Sequence, residues 1–126
     1  MKVKRATPVL FVDRVEPTRD FFTRVGFEAI AEVPDGDVLG FVILQKDEVQ
    51  VMAETRDNKN EPSALRALMG ESRRSGVFVE VDDLDAVIAA LKGARVTVDR
   101  HKTFYGSDEQ SYEEPGGNLV TFAQFA

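Results

Sequence analysis

The chain has 126 residues, 43% hydrophobic and 30% charged, which is typical of a single soluble globular domain with a real core. It has no cysteine and only one histidine, so disulfides, thiolate metal sites, cysteine nucleophiles and any metal site built on several histidines of one chain are excluded. The formal net charge of −6 argues against a nucleic-acid partner, and no apolar run is long enough to span a membrane.

The first half of the chain predicts a strand, a helix and three further strands. An apolar strand within TPVLFVD precedes a helix over 17–24, where Pro17 suits the first helical position. Phe21 and Phe22 supply the apolar side of this helix, and Gly26 ends it. Turn-forming residues then separate strands predicted at 27–33, 38–44 and 49–53.

The second half predicts the same order of elements. After an apolar strand in GVFVEV, Asp82 or Asp83 can cap a helix, and Gly93 fits its left-handed stop. The apolar stripe of this helix has the spacing i, i+3, i+4, i+7 and consists of Leu84, Val87, Ile88 and Leu91. Three strands follow, predicted at 94–98, 105–112 and 119–125.

An internal repeat explains this similarity between the two halves. Three pairs of positions share an offset of 69 residues: Thr7 and Gly76, Phe27 and Val96, and Met52 and Thr121. The organisation predicted is one domain, 1–126, with unit one at about 5–55, a linker at about 56–75 and unit two at about 76–126. The linker is polar, with a short helical piece at 63–69 and a stretch at 56–60 that we expect to be mobile.

Five short motifs, taken in order, indicate a family. They are Val9-Leu10-Phe11-Val12-Asp13, Phe21-Phe22 with Gly26-Phe27, Val81-Asp82-Asp83-Leu84-Asp85, Phe104-Tyr105-Gly106, and Glu114-Pro115-Gly116-Gly117-Asn118. Their order and spacing resemble the vicinal oxygen chelate superfamily, which includes glyoxalase I, extradiol dioxygenases, fosfomycin-resistance enzymes and bleomycin-resistance proteins. The resemblance implies an α+β fold of two βαβββ units, whose curved mixed sheets surround a cavity and pair across a homodimer.

The resemblance also implies where a metal would bind. In the metal enzymes of this superfamily, the first strand of a unit carries His or Gln and the last strand carries Glu or His. The matching positions here are Thr7, Gly76, Met52 and Thr121, none of which is a strong ligand for zinc, iron or manganese. The sequence therefore predicts no metal and no cofactor, with His101 expected to be solvated in a basic loop.

Strand alternation instead predicts an apolar and aromatic ligand face. The candidate ligand-binding residues are Phe11, Phe41, Met52, Phe78, Glu80, Tyr105, Tyr112 and Thr121. Aromatic rings can stack on a planar ligand, and the nearby acids can hold a cation. No motif for a nucleophile elbow, a phosphate loop or a zinc protease is present, so no catalytic residue is assigned.

The interpretation that these features favour is a non-catalytic binding protein, similar to the metal-free bleomycin-resistance branch. Such a protein would sequester an aromatic or peptide-type antibiotic in a groove between two subunits. The N-terminus has no signal-peptide region, so a cytoplasmic location is expected. The alternatives are a lyase, isomerase or dioxygenase with an atypical metal site at Glu80, Glu54 or His101, and a regulatory or structural module that binds a peptide or a partner chain in the same groove.

Overall fold

Two units of the same architecture make up the chain, Met1–Arg73 and Arg74–Ala126, and the computed structural model describes all residues, 1–126. The elements of unit one are β1 Val9–Val12, α1 Val15–Arg24, β2 Glu28–Asp35, β3 Val38–Lys46, β4 Val49–Thr55 and α2 Ser63–Gly70. Its strands form a four-stranded sheet in the order β1-β4-β3-β2. Only β1 and β4 pair in parallel.

Unit two repeats this sheet. Its elements are β5 Gly76–Glu80, α3 Leu84–Ala90, β6 Val96–Lys102, β7 Ser107–Glu113 and β8 Leu119–Phe125. The strand order is β5-β8-β7-β6, with β5 and β8 in parallel. The α+β fold of two βαβββ units predicted from the sequence is confirmed, and no helix has the length and apolar character needed to cross a membrane.

The parallel strand pairs confirm the internal repeat. In unit one Val9 lies opposite Met52, and in unit two Phe78 lies opposite Thr121. Each member of the second pair lies 69 residues after its counterpart in the first pair, so the offset predicted from the sequence relates the two sheets.

Each sheet has one face covered by its helix, here called the helix face, and an opposite face, here called the far face. Val42, Leu44 and Ala53 are fully buried on the helix face of unit one, where α1 contributes Phe21 and Phe22. The helix face of unit two consists of buried side chains from the sheet and from the stripe of α3 and the turn after it, among them Val120, Phe122, Tyr112, Leu84, Val87 and Leu91. The N-cap of α3 is Asp83, which accepts a hydrogen bond from Ala86 N at 3.0 Å.

Strand β6 differs most from its prediction. It runs from Val96 to Lys102 instead of 94–98, so His101 lies on a strand and the prediction that it lies in a loop is wrong. All seven residues of β6 are exposed because it is the edge strand of its sheet. Apolar alternation ends at Val98, because residues 99–102 of this exposed edge strand are all polar, and alternation was the signal from which the strand bounds were predicted.

The motif EPGGN forms a turn that is built around a buried carboxylate. Glu114 is 1% exposed, and its oxygens accept hydrogen bonds from Gly116 N at 2.8 Å, Asn118 N at 3.0 Å and Asn118 Nδ2 at 2.9 Å. Gly117 has φ +93°, a left-handed conformation that favours glycine. Asn118 Oδ1 accepts a bond from Ser75 N at 2.9 Å, which ties the start of β5 to the start of β8.

We expect Glu114→Ala to lower the free energy of unfolding by about 2–4 kcal/mol, because it leaves two buried donors of Asn118 and the half-buried Gly116 N without an acceptor. Glu114→Gln keeps one acceptor oxygen and should cost less than half of that. Urea denaturation measures both, with Glu48→Ala, an exposed acid in the β3–β4 turn, as a control that should cost less than about 0.5 kcal/mol. An alanine variant as stable as the control would contradict this role of the carboxylate.

Candidate functional site

The far face of unit two carries a string of four aromatic rings. Neighbouring ring centroids are 5.0 Å apart between Phe104 and Tyr105, 6.2 Å between Tyr105 and Phe125, and 6.4 Å between Phe125 and Phe78. Phe78 is 52% exposed, Tyr105 45% and Phe125 39%, so the rings contact one another and still present apolar surface. We call Phe104, Tyr105, Phe125 and Phe78 the aromatic string.

Small side chains lie next to the aromatic string. Ala123 lies on β8 between Thr121 and Phe125 and is fully buried. Ser111 lies opposite Thr121 on the neighbouring strand, and their hydroxyl oxygens are 2.8 Å apart. Ala123 and Ser111 are buried and Thr121 is half-buried, so the surface that a flat molecule could cover is that of the exposed rings themselves.

A buried carboxylate lies at the Tyr105 end of this face. Glu109 is 5% exposed and stands in register with Ala123 on one side and His101 on the other. Its Oε2 accepts a hydrogen bond from the Ser107 hydroxyl at 2.6 Å and another from the Tyr105 phenol. The bond to Glu109 raises the pKa of Tyr105 above its ordinary value, since the carboxylate stabilises the phenol in its protonated form.

The far face of unit one combines half-buried apolar residues with a second buried carboxyl. Phe11 and Phe41 lie on either side of Glu54 in register, and Met52 is two residues before it on β4. Glu54 is buried and accepts a hydrogen bond from Asn58 Nδ2 at 3.0 Å.

The loop after β4 closes over this carboxyl. Asn58 is buried and also donates to Gly40 O at 3.2 Å, so the stretch 56–60, predicted to be mobile, is tied to the sheet. A side chain at Gly40 would come within 3.0 Å of the Asn58 amide, so this close approach requires glycine. Burial raises the pKa of Glu54 to about 7, and the neighbouring carboxyl of Glu61 adds to the increase.

The two far faces place their acids differently, although the sheets are alike. In unit one an acid, Glu54, lies on the central strand between two phenylalanines. In unit two the matching central position is Ala123, and the two flanking positions are the acids Glu80 and Glu109. Unit two therefore combines exposed rings with one exposed acid, Glu80, and one buried acid, Glu109, and its far face is the stronger candidate for a ligand site.

Seven of the eight predicted site residues lie on or beside the two far faces, and one does not. Phe11, Phe41 and Met52 lie on the far face of unit one, and Phe78, Glu80 and Thr121 lie on the far face of unit two, with Tyr105 in the turn beside it. The prediction for Tyr112 is wrong. Its side chain is 1% exposed on the helix face, with its ring centroid 6.0 Å from that of Phe122.

The error at Tyr112 has a simple physical cause. Strand alternation places Tyr112 opposite Val120 on the helix side, one residue out of phase with Ser111 and Thr121. Phe125 was missed as a site residue although alternation from Thr121 through Ala123 leads to it. Glu109 could be recognised only as a nearby acid, because its hydrogen bonds to Tyr105 and Ser107 depend on the turn geometry.

The residues at the metal positions of the superfamily do not fit a metal ion. Met52 and Thr121 occupy equivalent places on β4 and β8, and the Thr121 hydroxyl is bonded to Ser111. Thr7 precedes β1, and Gly76 has no side chain. No group of three or more His, Asp or Glu side chains is arranged to hold a metal ion.

The profile of the Glyoxalase/Bleomycin resistance protein/Dioxygenase superfamily matches residues 4–122, and the chain belongs to this superfamily. A comparison with curated protein sequences finds no match. Solved structures with the same fold include TioX from Micromonospora sp. ML1, with 18% identity and a TM-score of 0.75 over 98% of this chain and 100% of that one.

Two further similar structures carry different functional names. A bleomycin resistance determinant encoded on the transposon Tn5 has 21% identity and a TM-score of 0.68, with 98% of each chain covered. A lactoylglutathione lyase from Agrobacterium tumefaciens has 15% identity and a TM-score of 0.75, covering 98% of this chain and 94% of that one. At these identities the likeness shows the fold and leaves binding and catalysis to be argued from the site.

The raised pKa of Glu54 predicts a stability that falls as pH rises. The folded state favours the protonated carboxyl, so its contribution is complete below about pH 4.5, the ordinary value, and is lost as pH rises through about 7. We expect the free energy of unfolding to fall by about 1–3 kcal/mol between pH 5 and pH 8, measured by urea denaturation. Glu54→Gln should remove most of this fall, and an equal fall in the variant and the wild type would contradict the assignment.

Proposed function

We propose that the protein is a non-catalytic binding protein that sequesters an aromatic or peptide-type antibiotic on the far face of unit two. The observation that carries the proposal is the aromatic string, three of whose rings are between 39% and 52% exposed. Exposed apolar rings gain free energy when a ligand covers them, at roughly 25 cal/mol for each Å² removed from water. Flat aromatic ligands cover such rings with the least loss of contact.

The charges on this face support a cationic group on the ligand. Glu80 is exposed on β5, and Glu109 lies two strands away, about 10 Å by the spacing of neighbouring strands. The chain as a whole has a net charge of −6, which attracts cations over a longer range. A planar molecule with a positive charge is therefore the ligand class that this site fits best.

We also infer that two copies of the chain associate and that the ligand lies in a groove between them. The support is the amount of apolar surface left exposed in the single chain, which includes Phe78, Phe125 and Leu119 on unit two. Large exposed apolar patches are typical of interaction sites. Light scattering coupled to gel filtration tests this, and a monomer at all concentrations would contradict a groove between subunits.

Metal independence is part of the proposal. It is supported by the residues at the superfamily's metal positions, which are Thr, Gly, Met and Thr, and by the lack of an alternative cluster of ligands. The rival function is that of a lyase, isomerase or dioxygenase, which the likeness to a lactoylglutathione lyase favours. A strong stabilisation by one divalent metal in a thermal-shift panel would support the rival and contradict our proposal.

Calorimetric titration of the wild type with bleomycin and with planar aromatic antibiotics tests the main claim. We expect at least one of them to bind, and Phe78→Ala and Phe125→Ala each to weaken that binding by about 10-fold or more, which corresponds to about 1.4 kcal/mol. Leu68→Ala, which removes an exposed apolar side chain from α2, is the matched control and should bind as the wild type does. The absence of binding across the panel, or equal losses in all three variants, would contradict the proposal.

A further inference from the structure

The hydrogen bond between Tyr105 and Glu109 determines what the exposed side of Tyr105 offers to a ligand. A phenol has one proton to donate, and Tyr105 donates it to Glu109 Oε2. The phenol oxygen keeps its lone pairs and can then only accept a further hydrogen bond. Because Tyr105 is 45% exposed and its ring stands next to Phe125, this acceptor lies at the edge of the aromatic string.

Glu109 adds a second acceptor at the same place. Both of its hydroxyl partners, Tyr105 and Ser107, bond to Oε2, and Oε1 accepts no hydrogen bond from the protein. Oε1 is not completely buried either. The fully buried side-chain atoms that lack a hydrogen-bond partner are Glu16 Oε1 and Arg66 Nε. A largely buried carboxyl oxygen without a partner gains from a hydrogen-bond donor on a ligand.

The structural role of Glu109 uses only one of its two carboxylate oxygens. Thr103 and Ser107 bond to each other across the turn between β6 and β7. Thr103 N donates to Ser107 O at 2.8 Å, and Ser107 N donates to Thr103 Oγ1 at 3.1 Å. Glu109 adds bonds from Tyr105 and Ser107 through Oε2, while Oε1 takes no part in holding the turn.

We propose that Glu109 Oε1 and Tyr105 Oη form a pair of acceptors, and that the ligand carries a protonated amine or amidinium beside its planar ring. This inference rests on the proposed function, because it specifies the ligand of the same site. The nearest side chain in register on β6 is His101, whose Nδ1 is 3.0 Å from Asp99 O. A ligand with a carboxylate in that position meets two acids, Glu109 and Glu80, and is rejected.

Three probes that share a naphthalene ring separate binding to the aromatic string from the preference for a cationic donor. 2-Naphthylmethylammonium carries N–H donors and a charge, 2-methoxynaphthalene carries only an acceptor, and 2-naphthoate carries a negative charge. NMR titration of the wild type should show the ammonium probe binding at least about 10-fold more tightly than the methoxy probe, with naphthoate weakest. This order is the expected result.

Two variants test the acceptors directly. Glu109→Gln and Tyr105→Phe should each reduce the preference for the ammonium over the methoxy probe to within about 3-fold, while binding of the methoxy probe changes little. Glu48→Gln makes the same change of net charge as Glu109→Gln at an exposed acid in the β3–β4 turn of unit one, and it should keep the full preference. Tyr105→Phe removes a single oxygen from an exposed ring, so it remains informative even if Glu109→Gln lowers stability.

The possible failures are distinguishable. If no probe of the three binds the wild type, the proposed function fails and the inference fails with it. If the probes bind with equal affinity, or if the preference persists in both variants, the inference is overturned and the aromatic site remains.

Discussion

A buried carboxylate beside a group of aromatic rings is the constraint on which the candidate site depends. Placing Glu109 on the far face of unit two is costly unless donors satisfy it, and Ser107 and Tyr105 supply them. The bond to Tyr105 also fixes the direction of that ring, which stands against Phe125 and, through it, Phe78. The placement of Glu109 therefore determines both the hydrogen-bond acceptors at this end of the site and the position of the Tyr105 ring in the aromatic string.

The internal repeat shows how one fold can carry two different surfaces. The parallel strands of both units share one register, so the backbones place their side chains alike. Unit one uses this frame to enclose an acid between two phenylalanines, where burial raises the pKa of Glu54 to about 7. In unit two the acids Glu80 and Glu109 lie on the two strands that flank the central one, beside exposed rings.

The repeated fold could be predicted from the sequence, whereas the bounds of β6 and part of the candidate site could not. The apolar stripe of α3 and the offset of 69 residues indicated the repeated βαβββ unit, because periodicity and register are local properties of the chain. The bounds of β6 were missed because all its residues are exposed. Tyr112 was assigned to the wrong face by one residue, and the partners of Glu109 lie in a turn whose conformation no alternation pattern determines.

The most direct test of the account is to map where a ligand binds, using backbone amide shifts during a titration with 2-naphthylmethylammonium. The account predicts that the largest changes fall on β7, β8 and the turn at 103–106, which together carry Glu109, Phe125 and Tyr105. The opposing candidate is the shallow polar pocket of unit one that is lined by Gly26, Glu28, Ile30, Gln45, Lys46 and Asp47. Changes centred on that pocket, with β7 and β8 unaffected, would contradict the assignment of the site.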